Sequence, residues 1–184
     1  MRAEKPFEKF LAIMRAREAE RFVPEGGVVV DFGCGYDALF LRRIAGRVRK
    51  GVGIDRDVPK GEGNLSFIRA GLGPGLPVKG GSADMVVMLA VVEHLDDPLA
   101  VLGEARRILR RGGLIAMTFP SGRAEPLLRI FAKLGALEPE NIGEHKSHFK
   151  SGGVPGMLRK AGFSGVRRKP FQLGLNNLAV ARKK

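Results

Sequence analysis

Residues 27–41, GVVVDFGCGYDALFL, decide the fold. Val28–Phe32 is a short β-branched run of the kind that forms a strand buried on both faces. A turn spaced Gly33-x-Gly35-x-x-Ala38 follows, and an apolar run then reads as a helix from about Asp37 to Ala45, stopping at Gly46. Strand, glycine turn and helix in that order make the first unit of a doubly wound α/β sheet, where a helix N-terminus commonly receives a pyrophosphate. Here Asp31 and Asp37 bracket the glycines, and their charge would repel a pyrophosphate. A cationic nucleoside ligand suits two carboxylates. Helix capping is a second role open to Asp37 and is compatible with the first.

Outward from this unit, Phe7, Phe10, Leu11 and Met14 follow helical spacing, so residues 1–24 read as an N-terminal helix that Pro24, Gly26 and Gly27 end. Strands are expected at Gly51–Ile54, Leu65–Ile68, Met85–Leu89 and Leu114–Phe119. The connection DRDVPKGEGN is too short and too broken by proline and glycine for a crossover helix, and 71–81 is a glycine-rich loop. Pro98 opens a helix expected to run through Arg110 and to end at Gly112-Gly113. A helix near 154–161 and strands at Gly165–Lys169 and Leu178–Arg182 complete the chain. Strands alternating with helices argue a mostly parallel sheet covered on both faces, as one domain over 1–184.

At 184 residues the chain can bury a substantial core, and its 44% hydrophobic and 28% charged content is that of a globular protein. No run approaches the roughly 18–20 apolar residues of a membrane span. MRAEKPFEKF has no apolar signal core, so the expected location is cytoplasmic. A single cysteine makes neither an internal disulfide nor a zinc cluster. The 32 Lys+Arg against 19 Asp+Glu would attract nucleic acid or an anionic lipid surface. The basic residues are scattered, however, and no nucleic-acid motif appears, so a solvated basic surface is the favoured reading.

Ligands of such sheets lie beyond the carboxyl ends of the strands. Those ends carry Asp31 to Gly35, then Asp55, then Gly71 and Leu72, then Leu89. Asp55 stands 20 positions after Gly35, where a carboxylate can accept from both hydroxyls of a ribose.

VVVDFGCG, GVGIDRD, LPVKGGSADMVVMLAVVEHLDDP and LGEARRILRRGGLIAMTFPS together resemble the successive motifs of S-adenosylmethionine-dependent methyltransferases with the Rossmann-like fold. The likeness is nearest to the subgroup containing the ubiquinone and menaquinone biosynthesis methyltransferases. It covers roughly residues 25–120, and MLRKAGFSGVRRKPFQLGLNNLAVARK is similar to the family's final helix and antiparallel strand pair. The resemblance implies a seven-stranded sheet with the last strand antiparallel and S-adenosylmethionine as cofactor. It implies that Asp31, Gly33 and Gly35 hold the methionine part, that Asp55 binds the ribose, and that Leu89 makes a backbone contact. Two positions depart from the pattern. Asp37 stands where a third glycine is frequent. Gly71 replaces an aspartate that meets the adenine amine, leaving adenine to the backbone of Gly71 and Leu72.

Cys34 lies within the glycine turn, where packing outweighs nucleophilic chemistry. Glu93 and His94 match the family's Glu-His pair and read as local hydrogen bonding in preference to catalysis. Residues 120–150 follow the fifth strand and are too long for an ordinary connection, so they are the expected substrate cover. Within them His145 and His148 are the candidates for acceptor contact or general base, with a solvated loop as the alternative. With Glu144 they lack a third convincing metal ligand, so no metal is expected.

The expected activity is therefore methyl transfer to a small-molecule acceptor. An RNA or protein methyltransferase using the basic surface, or a cofactor-binding module without catalysis, are the alternatives. An NAD oxidoreductase is disfavoured by Asp31 and Asp37.

Overall fold

The computed structural model describes residues 6–121 and 153–184. Most of the expected substrate cover, with His145 and His148, lies outside the described residues. The elements are α1 (Pro6–Glu20), β1 (Val28–Phe32), α2 (Leu39–Ile44), β2 (Lys50–Asp55), β3 (Leu65–Arg69), β4 (Ala83–Leu89), a 3-10 turn (Val92–His94), α3 (Pro98–Ile108), β5 (Leu109–Pro120), α4 (Gly153–Lys160), β6 (Phe163–Phe171) and β7 (Asn176–Lys183). No described helix is long and apolar enough to cross a membrane.

The seven strands are ordered β3-β2-β1-β4-β5-β7-β6. The first five run parallel, and β7 is antiparallel to both β5 and β6. This is the mostly parallel, doubly wound α/β sheet expected from the motifs. All five residues of β1 are buried, because β2 and β4 pair with its edges and apolar layers cover its faces. One layer joins Ile54, Met88, Leu102, Ile108 and Leu158 to α3 and α4; the other joins Val29, Leu41, Ile44 and Met85 to α1 and α2.

Several boundaries differ from the sequence reading. In α1 the fully buried positions are Ala16 and Ala19, while Phe10 is 55% exposed. Alanines allow the helix backbone to approach β4 and β5 closely; a large ring at the same contact would hold it off. The helix after the glycine turn begins at Leu39, because Ala38 adopts a left-handed φ of 47°. The N-cap position is therefore Ala38 and carries no side-chain cap. Asp37 sits one residue outside, and its Oδ1 accepts the Leu39 N–H at 3.3 Å as a local turn contact, so the expected capping role is not realised.

Helix α3 stops at Ile108, four residues before Gly112. Leu109 is fully buried and already pairs with Ala83 of β4, which ends the helix. Residues 110–113 then form an irregular stretch before Leu114 pairs with Met85. Gly113 is needed there for room, since a Cβ would lie 2.9 Å from the Arg110 carbonyl oxygen.

No helix occurs between β2 and β3 or between β3 and β4. The Asn64 side chain compensates at the first crossover, donating to the carbonyls of Ala45 and Val48 at 2.9 and 2.6 Å where α2 ends. At the second, the buried Glu104 carboxylate accepts the Leu76 N–H at 2.7 Å and pairs with Arg107 through two contacts of 2.8 and 2.7 Å. Arg107 in turn donates to the carbonyls of Leu76 and Val78. This network ties the glycine-rich loop to α3.

Candidate functional site

The strand order reverses between β1 and β4, and the residues that leave both strands there converge. The glycine turn after β1 is held against β2 by two donors: the Gly33 and Cys34 N–H groups reach the Ile54 carbonyl at 2.8 and 3.3 Å. Gly33 has φ +77°, and a Cβ there would lie 2.4 Å from Val91 Cγ2, so both backbone and space require glycine. The Gly35 N–H donates to Asp55 Oδ2 at 2.9 Å, and the Arg56 N–H donates to Asp55 Oδ1 at 2.6 Å. Each carboxylate oxygen keeps a lone pair for a further donor. Asp55 thus joins the turn to the end of β2 and still presents acceptors.

Two adjoining cavities meet at this turn. The larger, of about 610 Å³, is lined by Asp55, Arg56, Ala70, Leu72, Val91 and His94, among others. The smaller, of about 190 Å³, is lined by Arg15, Asp31, Cys34, Gly35, Asp37 and Phe40, among others. Gly33, Leu89 and Ala90 border both. Ala90 is held in a left-handed conformation, φ 56°, by the carbonyl and hydroxyl oxygens of Thr118, which accept its N–H at 3.0 and 3.1 Å.

Of the residues singled out by sequence, Asp31, Gly33, Cys34, Gly35, Asp55, Leu72 and Leu89 all face this pair of cavities. Gly71 is exposed and is not among the lining residues; its neighbours Ala70 and Leu72 are.

The electrostatics are set by carboxylates. Asp31 is 2% exposed, and its Oδ1 has no hydrogen-bond partner among the described residues. Burial, reinforced by the charges of Asp55 and Asp37, pushes its carboxyl up to about 8. Burial likewise pushes Glu93 up to about 7, against a weaker pull from its own backbone N–H and from Arg15. The Cys34 thiol is packed against Gly53, and burial, then Asp31 and Asp55, push it well above the ordinary thiol range. That environment disfavours a thiolate nucleophile. No group of three or more His, Cys, Asp or Glu suited to a metal ion occurs among the described residues.

The donor set answers which ligand fits. An orphaned, buried carboxylate oxygen beside two further carboxylates favours cationic groups and opposes phosphate. An ammonium and a sulfonium meet that requirement. Sequence reasoning missed Arg15, which comes from α1, more than a dozen residues before the turn. Only the packing of α1 over the sheet brings it there. It also did not assign Arg56, Val91, Leu95 or Asp97 to the cavity wall; the acidic pair Asp96-Asp97 beside the Glu-His motif was the available signal.

The sequence model of the family described as "Methyltransferase domain" matches residues 7–167. A protein of Mycolicibacterium smegmatis, named as an S-adenosylmethionine-dependent methyltransferase, is 34% identical over 119 residues, covering 55% of this chain and 44% of that protein. An uncharacterized methyltransferase of Mycobacterium sp. strain JLS is 31% identical over 107 residues, covering 55% and 42%. The chain thus spans less than half the length of these relatives. Among solved structures, a SAM-dependent methyltransferase from Thermotoga maritima superposes with a TM-score of 0.71 at 20% identity, covering 97% of this chain and 91% of that one. A chain from the complex of the Haloferax volcanii Trm112 methyltransferase activator with a methyltransferase gives 0.70 at 18% identity, covering 99% of both. These likenesses are of fold. With the family match spanning most of its length, the chain belongs to the methyltransferase domain family, and S-adenosylmethionine is its cofactor.

Proposed function

We propose that this protein transfers the methyl group of S-adenosylmethionine to a small-molecule acceptor at the β1–β4 switch point. The observation that carries the reading is the orphaned Asp31 carboxylate in the smaller cavity, next to a glycine turn that Asp55 holds from the other side. Asp31 receives the ammonium. Gly33 and Gly35 let the backbone lie close to the methionine chain. Arg15, which lines the same cavity, supplies the positive charge that the cofactor carboxylate needs.

Asp55 accepts from the ribose hydroxyls with the lone pairs its backbone donors leave open. Ala70 and Leu72, which line the larger cavity on either side of Gly71, flank the adenine, and Leu89 contributes its backbone between the two cavities.

S-adenosylmethionine brings a methyl group on a sulfonium, already a good leaving group. The chain's own contribution is placement: Leu89, Ala90 and Val91 form an apolar border at the junction and keep water from it. Thr118 fixes that border through Ala90. His145 and His148 remain the proposed acceptor contacts, and 120–150 the proposed cover.

Calorimetry tests the cofactor site. S-adenosylhomocysteine should bind and NAD should not. Asp55→Ala should weaken binding by about 2–4 kcal/mol, the loss of two charge-assisted hydrogen bonds. Unchanged affinity in that variant would remove the site assignment. Incubation with methyl-labelled cofactor and a metabolite extract, read by mass spectrometry, identifies the acceptor.

A further inference from the structure

A second concavity lies away from the cofactor end, between the C-terminal part of α1 and the β5-β7-β6 ribbon. It is a groove of about 560 Å³. Its apolar surface comes from Leu114, Leu178 and Val180 on the sheet and from Phe22, which is 37% exposed, on the helix side. Cations stand on both walls: Arg21 after α1, and Arg167, Lys169 and Arg182 on the face of the ribbon that α1 covers, where their strand partners Val180, Leu178 and Leu114 also lie. The single acid in the lining, Glu18, is shared between Lys169 at 3.0 Å and Arg21 at 3.7 Å. Arg167 is exposed and has no carboxylate partner among the described residues. The groove therefore carries a net surplus of about three positive charges over an apolar floor.

We propose that this groove binds single-stranded nucleic acid, with the phosphodiester backbone along the arginines and bases laid on Phe22 and the aliphatic floor. The inference does not depend on the identity of the methyl acceptor.

Three features select this occupant. A second copy of the chain is opposed by like charge, since each carries a net +13. A duplex hides its base faces and would leave the apolar floor wet, whereas a single strand offers them. An acidic protein segment needs carboxylates placed to match each cation. A phosphodiester chain presents one negative charge per nucleotide whatever its sequence, and Arg167 and Lys169, two residues apart on β6, repeat at roughly 6.6 Å along the wall.

The test is fluorescence anisotropy of the full chain with a labelled mixed-sequence 20-nucleotide RNA, the DNA of the same sequence, and the matching duplex, across a salt series. Four phosphate contacts give a slope of about −3 in log affinity against log salt. Arg167→Glu/Lys169→Glu should weaken single-strand binding more than tenfold at about 100 mM salt and roughly halve the slope. Lys169 gives up an ion pair at an exposed position, and S-adenosylhomocysteine affinity should stay unchanged, which reports an intact fold. Arg159→Glu/Lys160→Glu on α4, which packs with α3 on the other face of the sheet, reverses as many charges and should have little effect.

Equal losses in the two double variants would show delocalised attraction and overturn the groove. Tighter binding of the duplex would also overturn it. Sedimentation with phosphatidylserine vesicles, lost in Arg167→Glu/Lys169→Glu without any RNA binding, would assign the groove to a lipid surface instead.

Discussion

Asp31 stands inside the sheet with its carboxyl pushed up to about 8, so at pH 7 the ligand-free protein holds it mostly protonated. The bound ammonium, which S-adenosylhomocysteine shares with the methyl donor although it lacks the sulfonium, favours the ionised form, and binding must then release a proton. Affinity for S-adenosylhomocysteine should rise from pH 6 to pH 8, and calorimetry in buffers of different ionisation enthalpy should count nearly one proton released at pH 7. Asp31→Asn should abolish the release and weaken binding at pH 8. The sign for folding is opposite. A folded-state value above the unfolded one, with an ordinary value of 3.8, means that Asp31 destabilises the ligand-free fold increasingly as pH climbs from about 4 to 8. Asp31→Asn should therefore raise the melting temperature more at pH 8 than at pH 5. Gly33 gives a second test at this scale. Gly33→Ala forces a left-handed alanine and a contact with Val91, costing about 2–4 kcal/mol of stability. Adding Val91→Ala should restore the steric part and leave the backbone part. The aspartates and glycines were legible because turn chemistry and charge are local properties of the chain. Arg15 and the Gly33–Val91 contact were not, because each joins residues that meet only after α1 and β4 dock.

Elements were legible wherever burial follows a local period and illegible where a long-range pair sets the end. Pro98 marks the start of α3 correctly, and Asp97 caps it by accepting the Ala100 N–H at 3.0 Å. Gly112 and Gly113 look like its end, yet Leu109 leaves the helix early to pair with β4. The absence of helices on either side of β3 was readable for 56–64 from proline and glycine content, but the device that replaces them was not. Asn64 serves at the first crossover. At the second the device is Glu104, whose carboxyl is held below its ordinary range by Arg107, with the Leu76 N–H adding to the effect against the cost of burial. Glu104→Ala strands the Leu76 N–H and the Arg107 guanidinium, and should cost about 1–3 kcal/mol in chemical denaturation. A depressed folded-state value means that this stability is present above the unfolded value and lost as pH falls through the folded one. The wild type should accordingly lose stability on acidification more steeply than Glu104→Ala. Equal pH slopes would show that the network does not tie the loop.

At the scale of the whole molecule, the order β3-β2-β1-β4-β5-β7-β6 puts the best-protected strands, β1 and β4, at the centre and β3 at an edge with no crossover helix beside it. β1 is buried throughout, whereas β3 has one buried residue, three half-buried and Arg69 exposed. Local opening should therefore begin at β3. The cofactor cavity leans on that weaker edge, since Asp55, Arg56, Ala70 and Leu72 flank β2 and β3, while Leu89 and Val91 belong to the stable side. A ligand that binds only the closed arrangement stabilises it by mass action, by about 2.7 kcal/mol at a hundredfold excess over its dissociation constant. For a chain of this length that should raise the melting temperature by roughly 5–10 °C. The gain should not be spread evenly. In hydrogen exchange, S-adenosylhomocysteine should slow the amides of 33–35, 55–56 and 65–72 strongly, because those segments open first and the ligand spans them. The central amides of β1 and β4 should change only as far as global stability does. NAD should produce neither the thermal shift nor the protection. Protection confined to β5, β6 and β7 would place the ligand on the ribbon side of the sheet and remove the β1–β4 switch point as the cofactor site.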